Sequence, residues 1–309
     1  SHGGMGGVVE GFVNAPISSN IAARLVGWYR KDAGYIDNVA GSRTYATSGI
    51  VHNNAAFVEK DYNDAETYGA RLALGIDLDD NWTIRPTLMG QVQKSNGSYA
   101  QERQLPKYQT MQFNPEGSKD KWYQAGLTIE GKIGNFDLTY AGGYLRRKDK
   151  TQSDYSDYAY FYDAIAGYGA YFTDNNGNYV SPNQYIQGKD SYRKYFQEFR
   201  ISSPHENRFR VIAGLFWQRQ AHNIEQNYII DNIADAITVP GTESDIWFTK
   251  QLRKDRDAAI FGEASFDVTD KLTLTGGGRY YKYKNSLEGF FGYSTGYSSN
   301  PVYVCQGPA

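Results

Sequence analysis

The chain has 309 residues, with 32 Lys and Arg against 34 Asp and Glu and a formal net charge of −2. That balance excludes the basic footprint of a nucleic-acid binder and an acidic disordered tail. The single cysteine, Cys305, excludes a disulfide scaffold or a multi-cysteine zinc site within the chain. No run reaches the roughly 18 apolar residues of a membrane-crossing helix. Mean hydropathy is −0.62, yet membrane-crossing strands alternate apolar and polar residues and average out polar. The 27 Tyr and 33 Gly point to strands and turns, because disordered chains are poor in aromatics.

The opening, Ser1-His2-Gly3-Gly4-Met5-Gly6-Gly7, has no charged n-region and no apolar h-region, so no signal peptide is expected. Segments of period-two alternation come next, at about 8–14, 21–30, 66–77, 82–94, 121–132, 136–147, 192–203, 208–220, 258–267 and 272–284. In one, Trp82, Ile84, Pro86, Leu88, Gly90 and Val92 share a face. Thr83, Arg85, Thr87, Met89, Gln91 and Gln93 share the other. In another, Tyr123, Ala125, Leu127 and Ile129 face away from Gln124, Thr128, Glu130 and Lys132. Most segments run roughly 10–13 residues, where soluble strands peak at roughly 5–6. At about 3.3 Å per residue and about 40° of tilt, such a strand spans roughly 25 Å, the height of the apolar band of an outer-membrane barrel.

The connections alternate in length. Short ones lie at 15–20, 78–81, 133–135, 204–207 and 268–271; long ones cover about 31–65, 95–120, 148–191, 221–257 and 285 to the end. Every long loop then falls on one side of the sheet, the rule for bacterial outer-membrane barrels. Trp28, Tyr29, Trp82, Trp122, Tyr123, Tyr144, Trp217, Tyr280, Tyr281 and Tyr283 lie near strand ends and are expected to form an aromatic girdle. The expected fold is all-β: a segment of a transmembrane antiparallel up-and-down β-barrel, with short periplasmic turns and long extracellular loops. Its termini suggest a piece of a longer protein.

The order of segments resembles a known family. Gly11-Phe12-Val13-Asn14-Ala15-Pro16-Ile17-Ser18, followed by Ala23-Arg24-Leu25-Val26-Gly27-Trp28-Tyr29-Arg30, resembles an early hairpin of TonB-dependent receptor barrels. Glu198-Phe199-Arg200-Ile201-Ser202-Ser203-Pro204 and Ala213-Gly214-Leu215-Phe216-Trp217-Gln218 resemble mid-barrel strands. The strongest match is Phe261-Gly262-Glu263-Ala264-Ser265-Phe266-Asp267-Val268-Thr269-Asp270-Lys271-Leu272, continuing through Gly276-Gly277-Gly278-Arg279-Tyr280. The resemblance implies a barrel of roughly 22 strands, of which residues 1–309 would supply about ten. It implies active uptake of a scarce nutrient across the outer membrane of a Gram-negative bacterium, most often a ferric siderophore. It implies outer-membrane lipid and the TonB–ExbB–ExbD system as partners, no cofactor and no enzymatic activity. The sequence departs from the family in lacking a plug, a TonB box and a C-terminal aromatic-ended strand, so coupling to TonB would run through a missing N-terminal region.

Site candidates are few. Tyr155, Tyr158, Tyr160 and Tyr162, in the densest aromatic run, are expected in a long loop, where they could stack on a siderophore catecholate or a sugar ring. Self-packing of that loop is the plainer use. Arg24, Arg71, Arg85, Glu130, Arg200, Arg208, Arg210, Glu263 and Arg279 are expected to face the lumen, where they could meet a plug, an anionic ligand or water. Thr173-Asp174-Asn175-Asn176-Gly177-Asn178-Tyr179 has calcium-like oxygen spacing without a bidentate Glu, and reads better as a type I′ hairpin. Gly276-Gly277-Gly278 is read as strand glycine rather than a phosphate loop. Cys305 suggests a thiol partner beyond the chain or a free thiol. Three other readings compete, among them a passive porin, against which the family resemblance argues more than the physics does. Another is a complete ten-stranded omptin-like protease, for which His222 and Asp231 would be the base pair. The third is a soluble carbohydrate-binding β protein, whose strands should be shorter.

Overall fold

A computed structural model describes residues 3–294. In chain order the elements are β1 (Gly7–Ser18), β2 (Ile21–Asp32), β3 (Asp37–Asn38), β4 (Ser42–Thr44), β5 (Val51–Asn53), β6 (Ala65–Asp79), β7 (Trp82–Asn96), β8 (Gln109–Thr110), β9 (Gly117–Ile133), β10 (Phe136–Asp154), α1 (Ser156–Ala166), β11 (Gln184–Ser202), β12 (Phe209–Ile230), β13 (Asp245–Thr269) and β14 (Leu272–Tyr293). The long strands form one 10-stranded antiparallel sheet in strictly sequential order, β1-β2-β6-β7-β9-β10-β11-β12-β13-β14. Each alternating segment of the sequence is one of these strands. The strands exceed soluble lengths: β13 has 25 residues. Among the described residues β1 pairs only with β2 and β14 only with β13, so the sheet is open and a closed ten-stranded barrel is excluded for them.

Register explains why the alternation matters. Ile21, Ile76, Ile84, Ile129, Tyr140, Phe199, Leu215, Ile260 and Tyr280 lie opposite one another in an unbroken line from β2 to β14. One residue along, on the other face, runs the line Thr83, Glu130, Thr139, Arg200, Gly214, Phe261 and Arg279. A slip of one residue in any strand would exchange these faces. The apolar face is uncovered: Leu25, Leu88, Leu215 and Ile260 are each more than half exposed. A continuous apolar band of that extent marks a surface built for lipid or a partner.

Tyr29, Tyr68, Tyr123, Tyr144 and Tyr195 border this band toward the long loops, with Tyr123–Tyr144 and Tyr144–Tyr195 ring centroids 5.8 and 4.7 Å apart. The expected girdle needs correction in part. Trp28, Trp122, Tyr281 and Tyr283 have the opposite parity and sit on the polar face. Trp28 lies over Gly69, where an added Cβ would come within 2.4 Å of the indole. At the short-turn end Trp82 lies over Gly131 in the same way.

Four of the short turns are tighter than expected, while the one expected at 204–207 is longer and runs 203–208. Residues 15–18 belong to β1, with a bulge between Pro16 and Ser18; a bulge tolerates a proline, whose missing N–H the ladder does not need there. Pro86, which lacks an N–H, coincides with a gap in the β6–β7 register between Ala73–Thr87 and Ile76–Ile84. The compact buried core lies at the long-loop end, where loop residues pack with the last residue of β12 and the start of β13. Ile36, Tyr45, Phe113, Phe172, Ile230 and Ile246 are almost fully buried there.

Candidate functional site

The aromatic run expected in a loop forms α1. It contains neither Gly nor Pro before Gly167, and its 3.6-residue period buries Ser156, Ala159 and Asp163 along one side. Gly167, at φ 65°, ends the helix, its N–H donating to the Asp163 carbonyl at 3.0 Å. The Asp163 carboxylate accepts from the Gly169 N–H at 2.7 Å, the Thr47 N–H at 3.3 Å and the Thr47 hydroxyl. Burial alone would raise this carboxyl; these hydrogen bonds outweigh burial and hold it below its ordinary range.

Asp154, at the end of β10, fixes the start of the helix. Its oxygens accept from the Phe113 N–H, the Asn114 amide, and the Ser156 N–H and hydroxyl at 2.7–2.9 Å. Arg43 adds an ion pair to Asp157, a 3.2 Å bond to Ser156 Oγ, and stacking over Phe113 and Tyr160 at 4.4 and 5.2 Å. Two long loops are thereby tied to a third, the one that contains α1.

Tyr155, Tyr158 and Tyr162 share one face of the helix. Tyr155 stacks on Tyr158 at 4.7 Å, and Tyr158 meets Tyr162 at 4.5 Å and Tyr168 at 6.1 Å. The layer continues onto the sheet. Tyr155 meets Tyr228 edge-on at 5.8 Å, Tyr228 meets Trp247 at 6.4 Å, and Trp247 meets Tyr293 at 4.7 Å. Tyr228, Trp247 and Tyr293 lie in one register line on the polar face. Tyr160 points elsewhere and packs on the fully buried Tyr45 at 5.9 Å. The sequence thus indicated three members of the layer and one tyrosine outside it. It missed Tyr168, Tyr228, Trp247 and Tyr293; for the last three the available signal was their parity at the loop ends of β12, β13 and β14. Burial raises the Tyr158 and Tyr228 phenols and keeps them protonated donors; Tyr155, Tyr158, Tyr228 and Trp247 are half-buried, and Tyr162 is exposed. The layer offers flat π surface and phenolic O–H groups, suited to a rigid conjugated ligand.

Of the expected lumen-facing residues all but Arg208 fall on the polar face; Arg208 lies in the short turn before β12, over the Phe266 ring of the apolar face at 5.1 Å. Arg85 is paired with Glu130. Arg208 donates to the Asp267 and Val268 carbonyls at 2.6 and 2.7 Å, and Arg210 grips Asp267 at 2.5 and 2.7 Å. These two fasten the short β13–β14 turn. Arg279 lies 5.1 Å over Phe216 and 5.9 Å over Phe261. Arg71 and Arg200 form no ion pair among the described residues. Higher on this face, Asp255 accepts from Gln220 at 2.8 Å and Tyr283 at 2.7 Å, while Tyr192 donates to Gln220 at 2.5 Å.

The remaining motifs resolve as structure. Thr173 and Tyr179 form a bridge, but Gly177 is the residue with positive φ, so the connection is a longer glycine-terminated turn and not type I′. The Asp174 carboxylate is taken up by the Asn176 and Asn178 N–H groups at 2.8 and 2.9 Å. No cluster of three or more metal-ligating side chains occurs among the described residues. Gly277 admits the neighbouring strand closely: an added Cβ would stand 3.1 Å from the Gly262 carbonyl. His222 bonds Asp190 at 3.1 Å, while Asp231 accepts from Tyr185 at 3.0 Å, so the protease pair does not assemble. Cys305 lies outside the described residues.

No protein-family model matches the sequence, and no curated protein matches it. Solved structures do share its fold. The ferric yersiniabactin uptake receptor of Yersinia pestis superposes with a TM-score of 0.69 at 10% identity, over 94% of this chain and 40% of that one. The unliganded ferric citrate transporter gives 0.57 at 11% identity, over 93% and 39%. The ferripyoverdine receptor of the Pseudomonas aeruginosa outer membrane gives 0.55 at 12%, over 95% and 37%. The chain spans about two fifths of these proteins, which are receptors and transporters rather than enzymes. Its open sheet has the fold of part of a TonB-dependent receptor β-barrel wall.

Proposed function

We propose that this chain is part of the barrel of an outer-membrane receptor that takes up a ferric siderophore with energy from TonB–ExbB–ExbD. The apolar face meets lipid and the polar face meets the lumen. The observation that carries the ligand reading is the aromatic layer from Tyr162 through Tyr158, Tyr155 and Tyr228 to Trp247, on the lumen face at the long-loop end. A siderophore entering from outside meets this layer first. Its ring faces stack on chelating groups, and its phenols donate to the anionic oxygens around the iron. Below it, Arg200 and Arg71 on the same face supply positive charge along the path of an anionic complex.

The test uses the full-length protein and a panel of tris-catecholate, hydroxamate and hydroxycarboxylate ferric complexes. At least one class should bind wild type and lose roughly 10-fold or more in affinity with Tyr158→Ala or Trp247→Ala, at about 1–2 kcal/mol per ring contact. Tyr160→Ala, outside the layer, should bind as wild type. Equal binding by all three variants would remove the layer from the ligand path.

A further inference from the structure

Among the described residues Trp28, Trp82, Trp122 and Trp217 meet no tyrosine ring. Trp247 does, and from it the rings run on without a gap. Trp247 meets Tyr228 at 6.4 Å, Tyr228 meets Tyr155 at 5.8 Å, Tyr155 meets Tyr158 at 4.7 Å and Tyr158 meets Tyr162 at 4.5 Å. These are the spacings of aromatic rings in direct contact. The chain of rings begins at a half-buried indole and ends at an exposed phenol, Tyr162.

Stacking on a ligand does not account for this continuity. The rings spend surface on one another: Tyr158 lies stacked on Tyr155 at 22°, and Tyr228 stands edge-on to Tyr155 at 88°. The order of ring types has a chemical sense of its own. In neutral water a phenol is oxidised more easily than an indole, because the oxidised phenol gives up its proton. An electron vacancy on Trp247 therefore falls onto Tyr228 and then moves among like phenols. The protons that must move are in place. The Trp247 indole N–H donates to Thr249 Oγ1 at 3.0 Å, and burial keeps the Tyr158 and Tyr228 phenols protonated. Iron held beside such rings gives them a use, since iron complexes and peroxides together generate oxygen radicals.

We infer that the aromatic layer is also a radical relay, which carries one-electron oxidising equivalents from peroxide-derived oxygen radicals at Trp247 out to the exposed Tyr162. Its use rests on the uptake reading, which supplies the iron; the transfer itself is a property of the rings. An alkoxyl radical takes one electron and the Nε1 proton from Trp247 and leaves as the alcohol. The indolyl radical then takes one electron from Tyr228 and a proton from water, which restores the indole, while the Tyr228 phenol releases its proton to water. The same exchange passes the vacancy to Tyr155, Tyr158 and Tyr162. There a water-soluble thiol gives up a hydrogen atom, restores the phenol and ends as a thiyl radical. The sum is alkoxyl radical plus thiol giving alcohol plus thiyl radical, with the protein unchanged.

The experiment uses full-length protein in detergent, with no ligand added, and azide radical made by pulse radiolysis, a one-electron oxidant selective for indoles. In wild type the indolyl absorption should give way to tyrosyl absorption in a fast phase. Tyr228→Phe keeps the ring and its packing but lacks the O–H, and should lose that phase, as should Trp247→Phe. Trp122→Phe and Tyr160→Phe, outside the chain of rings, should keep it. A second measurement needs no variant. Peptide mass spectrometry of pulsed wild type should find oxidised indole at Trp122, half-buried on the same face with no tyrosine ring beside it. Trp247 should stay largely intact, with the oxidation found at Tyr162. Survival of the fast phase in both Tyr228→Phe and Trp247→Phe, its equal loss in the two controls, or equal indole oxidation at Trp122 and Trp247 overturns the relay. Because no iron complex is present, that failure is distinct from failure of the uptake reading, which the panel of ferric complexes tests.

Discussion

The long loops and the sheet wall are stabilised in opposite ways. The loops form a compact body of their own. Asn54 donates to the Val39 and Gln112 carbonyls at 2.8 and 3.0 Å and accepts from the Gly41 N–H at 2.7 Å. Asn63 accepts from the Tyr35 and Ile36 N–H groups at 2.7 and 2.8 Å. Asn114 and Asn183 bond each other across two loops at 3.0 and 3.3 Å. Buried asparagines here substitute for the backbone partners that irregular chain cannot find. The wall has the reverse arrangement. Its backbone is satisfied strand to strand, while its apolar side chains stay exposed, as lipid-covered side chains would be on the proposed reading. Buried polar side chains thus hold the loops, and solvent on one side holds the wall.

The difference sets where substitutions act. The largest effect is expected from a charge on the wall's apolar line. Ile129→Arg should cost about 2–4 kcal/mol, as for an arginine at the bilayer midplane, while Thr128→Arg, one residue along, should cost little. Unfolding of the full-length protein in lipid bilayers checks the pair. Next comes Asn54→Ala, which strands a buried N–H and two carbonyls. It should cost about 2–3 kcal/mol, confined to the loops, so hydrogen exchange should rise over 33–64 and 97–116 and stay unchanged in β9–β13.

A smaller effect is expected from Gly131→Ala, whose Cβ would stand 2.3 Å from the Trp82 ring. Displacing the indole should cost about 1–3 kcal/mol, and Trp82→Ala in the same chain should relieve most of it.

The smallest is the pH response of the loops. Burial pushes the Glu116 carboxyl up to about 6 from its ordinary 4.5, with the nearby Asp154 charge adding to the rise. Burial also pushes Asp245 up to about 6. A raised carboxyl favours the folded loops in its protonated form, so that stability is full below about pH 4.5 and is lost as pH rises through 6. His52 works oppositely. Burial lowers it from 6.5, so its share is full above that pH and is lost on acidification. Glu116→Gln should therefore remove about 1 kcal/mol of pH dependence between pH 5 and 7.5 in loop hydrogen exchange and leave the His52 part.

The wall was legible in the sequence because one side chain in two is apolar, and that period is visible without any structure. Its upper ends were not. Above the tyrosines β9 and β10 alternate lysine with aspartate, a pattern with no hydropathy contrast; the charged run Arg253-Lys254-Asp255-Arg256-Asp257 likewise hides the upper part of β13, expected from 258 but beginning at Asp245. Tyr155, Tyr158 and Tyr162 were conspicuous by density. Tyr228 and Trp247 were not, since their place in the aromatic layer comes from strands paired far apart in sequence. The asparagine bonds of the loops span tens of residues and leave no local signature.

Every functional assignment depends on which face of the wall meets lipid. Single cysteines placed in a Cys305→Ser background at Ile84, Ile129 and Phe199, and at Thr87, Thr128 and Arg200, can be probed in the full-length protein in native outer membranes. The first set should be quenched by lipid nitroxides and shielded from a water-soluble maleimide, and the second set should show the reverse. Equal aqueous labelling of both sets, or the opposite parity, would contradict a membrane wall with its polar face turned to the lumen.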